Sequence, residues 1–267
     1  MLVPPPFPSH LDNEVVDSFF AKGRNLWPDI EEIDKTTFDR SKFDDTVIRF
    51  LKSTSMNEYG TAHYTKGYYN AYGTDYKLNV WAMVWGSEEY MHYLVLRKIL
   101  RALGEEIEPH IIEGVEFGDF YERYVQYLDD VRIDPAMDPR LVQAVYGVVQ
   151  EYSAVIAYTA VGEAVGDPEF LKLMKRIAKD EMRHSRFNQL SVEALVEQCP
   201  EQRKYVWPQF SALFKDHKMP QEFIDMYEEE DIGTDLYTSF WTPKFRSKMV
   251  LYLTHYFGQF REAVATA

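Results

Sequence analysis

Glutamate and histidine stand three residues apart twice in this chain, as Glu89-Tyr-Met-His92 and Glu181-Met-Arg-His184, each in the middle of a long helical pattern. Seven histidines and 24 glutamates among 267 residues would give about 0.6 such pairs by chance. Residues i and i+3 share a helix face, so the carboxylate and the imidazole of each pair can reach one ion. At about 100° per residue, the apolar residues Leu78, Trp81, Ala82, Trp85, Leu96, Ile99 and Leu100, with His92, fall within about 80° of Glu89. The same rule collects Phe170, Leu173, Met174, Ile177, Ala178 and His184 around Glu181. Ionisable groups on apolar stripes are costly unless they are paired or bound to metal. The chain must therefore fold so that these two helices turn their Glu-x-x-His faces toward a common interior.

Two single glutamates extend the pattern. Glu151 shares a face with Ala144, Val148, Ala154, Val155, Tyr158 and Gly162, and Glu58 lies in Ser55-Met-Asn-Glu-Tyr-Gly-Thr on the preceding helix. One glutamate from each of two helices and one Glu-x-x-His from each of two others make the ligand set of ferritin-like carboxylate di-metal sites. The expected ligands are Glu58, Glu89, His92, Glu151, Glu181 and His184. Their four carboxylates can offset two divalent cations and leave coordination positions open. With one cysteine, Cys199, no thiolate cluster or internal disulfide can form, so oxygen and imidazole ligands point to iron or manganese.

Strand-like alternation is nearly absent and the 3.6-residue period dominates, so the expected fold is all-α: a ferritin-like four-helix bundle with flanking helices. Helices are expected over 11–22, 43–72, 75–103, 116–130, 139–166, 169–198, 201–216, 220–230 and 234–264. Asp138-Pro139 and Asp167-Pro168 each put a capping carboxylate before a proline at the first helical position, and Gly104 reads as a C-terminal stop. The chain reads as one domain over 1–267, with a proline-rich extended arm over 1–10. A net charge of -14 argues against nucleic acid as a partner. No stretch approaches the ~18 uncharged apolar residues of a membrane span, and the start lacks a signal-peptide pattern; the expectation is a soluble, cytoplasmic protein.

At these residues the chain resembles the soluble acyl carrier protein desaturases. Their Trp-x-x-Glu-Glu-x-x-His is similar to Trp85-Gly-Ser-Glu-Glu-Tyr-Met-His92, their Asp-Glu-x-Arg-His to Asp180-Glu-Met-Arg-His184, and their Gln-Glu to Gln150-Glu151. Glu58 falls near their first-helix glutamate. The resemblance covers roughly residues 40–200. It implies two iron ions with dioxygen as co-substrate, a ferredoxin-type electron donor, an acyl chain on acyl carrier protein, and a homodimer. It departs at Ala154, where those enzymes carry a threonine implicated in proton delivery; Ser153 or a water could stand in.

Asp180 and Glu88, each just before a ligand glutamate, are candidates to fix the imidazoles from outside, and Trp85 is expected to pack beside the site. Lys172, Lys175, Arg176, Lys179, Arg183 and Arg186 fall between about 120° and about 220° from Glu181, a basic outer face suited to an acidic carrier protein. His63, His110, His217 and His255 read as structural, and the run Tyr227-Glu-Glu-Glu-Asp231 as a solvated helix end. Two other readings stay open: a diiron hydroxylase or N-oxygenase of another metabolite, and a ferritin-like iron-binding protein without an organic substrate.

Overall fold

Aspartate begins four of the helices. Asp44 accepts the Val47 N–H at 2.9 Å, Asp75 that of Leu78 at 3.1 Å, Asp138 that of Arg140 at 2.9 Å, and Asp167 those of Glu169 and Phe170 at 3.0 Å each. Each satisfies orphan backbone donors and contributes about 1 kcal/mol. Pro139 and Pro168 stand at the first helical positions, as their sequence context requires.

The computed structural model describes Trp27 and residues 30–73, 75–105, 126, 128–215, 240 and 242–261. Its helices are α1 (Asp45–Tyr59), α2 (Thr61–Tyr72), α3 (Tyr76–Ala102), α4 (Pro139–Val165), α5 (Pro168–Gln198), α6 (Arg203–Lys215) and α7 (Pro243–Gly258), with short 3-10 turns at Ile30–Lys35, Arg40–Lys42 and Pro200–Gln202. The described residues contain no strand, and the all-α expectation holds. The expected helices over 11–22 and 220–230, most of 116–130, the 1–10 arm, His110, His217 and the 227–231 run lie outside the described residues.

Three boundaries differ from the periodicity. The expected helix over 43–72 is two, broken at Gly60, whose N–H is shared between the Met56 and Asn57 carbonyls at 3.0 and 3.1 Å. Glycine is the poorest helix former after proline, and the apolar pattern continues on both sides, so the period alone hides the break. The last helix runs over Pro243–Gly258, with Thr242 extended (ψ 164) before it and a turn at 259–260 after it; residues 234–239, 241 and 262–264 of the expected span lie outside the described residues. Before α6, residues 200–202 form a 3-10 turn.

The bundle consists of the broken pair α1/α2, then α3, α4 and α5. α4 and α5 run antiparallel along most of their length, joined at Gly166, which takes a left-handed conformation (φ 64) that favours glycine. Their axes approach closely at Gly147, where a Cβ would stand 2.6 Å from the Asn188 side chain. α3 packs against α1 and α2, while α6 and α7 lie on the outside of α4 and against each other. Aromatic rings close the interior at one end. Trp81 of α3 stacks on Phe187 of α5 at 4.0 Å, and Tyr68 of α2 meets Trp81 and Trp85 edge-on at 5.1 and 4.8 Å. The stripes around Glu89 and Glu181 are buried as their spacing predicts, with Leu96, Ile99, Phe170 and Ile177 wholly inaccessible.

Candidate metal centre

Helical register alone points five of the six expected ligands inward from mid-helix: Glu89 and His92 on α3, Glu151 on α4, Glu181 and His184 on α5. Glu58 is the penultimate residue of α1, just before the Gly60 break. These residues meet. Ligand atoms of Glu58, Glu89, His92 and Glu181 lie within 4.8 Å of one another, and so do those of Glu89, Glu151, Glu181 and His184. Glu89 and Glu181 belong to both groups. The arrangement is two four-residue groups, each able to hold an ion, that share two carboxylates.

Both imidazoles turn Nδ1 into the cluster. His92 Nδ1 is 3.0 Å from Glu89 Oε2 and 3.2 Å from Glu181 Oε1. His184 Nδ1 is 2.8 Å from Glu89 Oε1 and 3.4 Å from Glu181 Oε2. Both turn Nε2 outward to a carboxylate, and the partners are crossed between the helices. His92 Nε2 is 3.3 Å from Asp180 on α5, and His184 Nε2 is 2.8 Å from Glu88 on α3. Each imidazole is thus steered by the acid that precedes the opposite helix's ligand glutamate, which fixes ring orientation and leaves Nδ1 for an ion.

The chain's own polar groups leave this interior incompletely satisfied. Oε1 of Glu89 and Oε1 of Glu181 accept no hydrogen bond, although each lies within 3.2 Å of an imidazole nitrogen. Four carboxylates and two imidazoles, with nearly all of these atoms withdrawn from water, form a hard, oxygen-rich donor set that fits a metal ion and is poorly matched without one.

The sequence model of the fatty acid desaturases matches residues 55–253, more than half of the 267-residue chain. The chain belongs to the fatty acid desaturase family. The matched span contains all six cluster residues, and the buried Glu/His cluster of this family member can hold a metal. No curated protein matches the sequence.

In this desaturase-family chain, electrostatics divide the carboxylates. Burial, with Glu89 and Glu181 beside it, pushes Glu58 well above the usual carboxylate range. Burial and Glu89 do the same to Glu151, only partly opposed by His184. Burial also opposes the charge of Glu89, but His184 and His92 outweigh it and hold Glu89 below the carboxylate range. Burial would lower both imidazoles, yet Glu181 and Asp180 raise His92, and Glu89 with Glu151 raises His184, well above the ordinary histidine value. Burial works against the Asp180 charge too, and His92, His184 and Arg183 overcome it.

Several residues do more than their sequence positions suggest. Trp85 is not only packing: its Nε1 donates to Glu151 Oε1 at 3.0 Å. The Tyr158 hydroxyl donates to Glu58 Oε1. Trp27, distant in sequence, donates from Nε1 to Asp180 Oδ2 at 3.1 Å and sets its ring edge-on to His92 at 6.4 Å. Nothing in local periodicity announces that contact. Ser153 turns away from the cluster, its hydroxyl on the Val149 carbonyl at 2.7 Å and 3.9 Å from Met249 Sδ on α7.

The six basic residues of α5 separate into two kinds. The Arg183 guanidinium folds back to Glu88 at 2.7 Å with only 13% of its side chain exposed, and Arg176 lies over the Trp27 ring at 4.2 Å. Both therefore serve the layer around the centre. Lys172, Lys175, Lys179 and Arg186 remain exposed, Arg186 bonding Gln189 at 2.9 Å. His255 is exposed on α7, and no helix among the described residues is long and apolar enough to cross a membrane.

Proposed function

We propose that this chain is a diiron, dioxygen-dependent desaturase that removes hydrogen from an unactivated acyl chain presented on acyl carrier protein, with electrons from a ferredoxin-type donor. The observation that carries the reading is the sharing of Glu89 and Glu181 between two four-ligand sets. One iron would be held by Glu58 and His92, the other by Glu151 and His184, with Glu89 and Glu181 common to both. When bound, the metal pair supplies the activation of dioxygen that no side chain can provide. The protein's part is to hold and shield. Asp180 and Glu88 keep each Nδ1 aimed inward, Trp85 and Tyr158 anchor the outer carboxylates, and Trp81, Trp85, Tyr68 and Phe187 exclude water on one side.

Ala154 and the outward turn of Ser153 favour a second reading, in which the same centre hydroxylates or N-oxygenates its substrate, since neither side chain gives the centre a hydroxyl at the family's threonine position. One turnover separates the two. The protein is loaded anaerobically with ferrous ion, reduced, mixed with acyl carrier proteins bearing several chain lengths, and exposed to dioxygen. A product lighter by a hydrogen pair is expected. A product heavier by one oxygen atom establishes the second reading, and an unchanged acyl group across the panel overturns the acyl substrate.

The exposed lysines supply the docking face for the carrier. Lys172, Lys175 and Lys179 reversed to Glu should weaken carrier-protein binding about tenfold or more at low salt, with the loss shrinking as salt rises. Arg176 and Arg183 are left intact in that test because they touch Trp27, Glu88 and Asp180. Unchanged carrier affinity in the triple variant removes this face from the docking reading.

A further inference from the structure

The two outer carboxylates are held by donors of different chemistry and from different starting conditions. Glu151 sits mid-helix on α4, where its own backbone is rigid, and receives the Trp85 indole N–H at 3.0 Å. Glu58 sits one residue from the end of α1, next to the Gly60 break, so its backbone lacks the helical turn that follows each of the other five cluster residues. A glutamate side chain so placed loses up to about 2 kcal/mol of rotamer entropy when fixed, and something must hold it.

Tyr158 is in position to do so from α4, alongside the Glu89 carboxyl that also bonds Glu58. It rises from α4 two turns after Glu151 and on the same face, is 1% exposed, and has its ring edge-on to Phe50 of α1 at 6.4 Å. Packing fixes the ring, and the hydroxyl donates to Glu58 Oε1. The hydroxyls near position 154 do not reach this far: position 154 is alanine, and Ser153 bonds the Val149 carbonyl. An indole N–H can only donate, whereas a phenol donates and still accepts, so the two ends of the centre also differ in hydrogen-bonding capacity.

The geometry points to Tyr158 as a positioning residue that fixes Glu58 for its ion and makes the two metal positions unequal, one anchored through phenol and the other through indole. This rests on the two-ion reading above. Its test is anaerobic calorimetric titration of the full chain with ferrous ion in four proteins: the parent, Tyr158→Phe, Glu58→Asp and the double variant. Phenylalanine keeps the ring against Phe50 and removes only the hydroxyl. The expected result is a roughly 10–100-fold weaker affinity for one ion, the other unmoved, as for loss of an outer partner of a metal ligand. In the Glu58→Asp background, where a shorter carboxylate can still serve an ion but is drawn back from the hydroxyl, Tyr158→Phe should change nothing further. Trp85→Phe should weaken the opposite ion.

Unchanged affinities in Tyr158→Phe overturn the proposal, with or without a lower melting temperature, and so does a loss of equal size in the Glu58→Asp background. A parent protein that takes up one ion overturns the two-ion reading instead. The cycle on that ion still decides Tyr158: coupling between positions 158 and 58 supports it, and absence of coupling overturns it.

Discussion

Glu89→Gln is expected to abolish uptake of both metal ions and to destabilise the metal-free protein by about 3–5 kcal/mol, whereas Glu58→Gln should lose one ion and leave the metal-free fold close to its parent. The two substitutions are chemically identical, and the difference lies in what each carboxylate does among its neighbours. Glu89 belongs to both ligand sets and lies 3.0 Å from His92 Nδ1 and 2.8 Å from His184 Nδ1. The two imidazoles hold it ionised despite its burial, and it in turn helps to hold them protonated. A neutral amide there leaves buried positive charge without its nearest partner. Glu58 belongs to one set, and burial together with Glu89 and Glu181 keeps its carboxyl protonated far above the usual range. An amide is close in shape and charge to that neutral carboxyl. For a chain of this size the Glu89 cost corresponds to a melting temperature lower by roughly 6–20 °C. Elemental analysis of metal per chain and thermal unfolding with chelator check both arms. Equal melting temperatures for the two metal-free variants, or one ion retained by Glu89→Gln, would sink the assignment of Glu89 as shared. Activity should fall with metal content, and more steeply than the roughly 10–100-fold typical of an outer-layer residue.

Much of this centre was legible because a helix converts sequence spacing directly into direction. Once Glu89 and Glu181 were placed on apolar stripes, His92 and His184 had to share their faces, and Glu151 fell among Val148, Val155 and Tyr158. The Asp-Pro starts of α4 and α5 were legible for the same local reason. What escaped depends on contacts between helices or on the conformation of one residue. The crossed pairing of Asp180 with His92 and Glu88 with His184 needs the mutual register of α3 and α5, which no single helix encodes. Arg183 lies on the outer face of α5 by angle, yet its long side chain reaches Glu88 on the neighbouring helix. Trp27 reaches Asp180 across 153 residues of sequence. The Gly60 break leaves the hydrophobic period intact, so only glycine's weak helix propensity hinted at it, and that hint was outweighed by the pattern on both sides.

Raising the pH from 6 to 8.5 is expected to destabilise the metal-free protein and to enlarge the stabilisation that metal confers. Glu58, Glu151, His92 and His184 all hold protons more tightly when folded than when unfolded. Stability from groups with raised values is fully present below their unfolded pKa, about 4.5 for the carboxyls and 6.5 for the imidazoles, and drains away as pH climbs toward the folded values. Each proton kept by the folded state and released by the unfolded one contributes about 1.4 kcal/mol per pH unit, so the decline steepens above about 6.5, where the unfolded imidazoles have released theirs. Glu89 and Asp180, which are held low, act in the opposite sense, but their contribution is lost only as pH falls into strongly acidic solution and does not offset the alkaline decline. Metal reverses the dependence because the same groups must be deprotonated to coordinate, and binding releases their protons. An ion at 100 times its Kd stabilises by about 2.7 kcal/mol, so two ions at pH 8 should raise the melting temperature by roughly 10–20 °C. At pH 6 the gain should be markedly smaller. Thermal unfolding in chelator and in excess ferrous or manganous ion, at half-unit steps between pH 6 and 8.5, reads both trends. A metal-free melting temperature that stays level or rises over that range would mean that the buried carboxyls and imidazoles do not retain their protons, and the paired geometry of the cluster would then have to be held by something other than those shared protons.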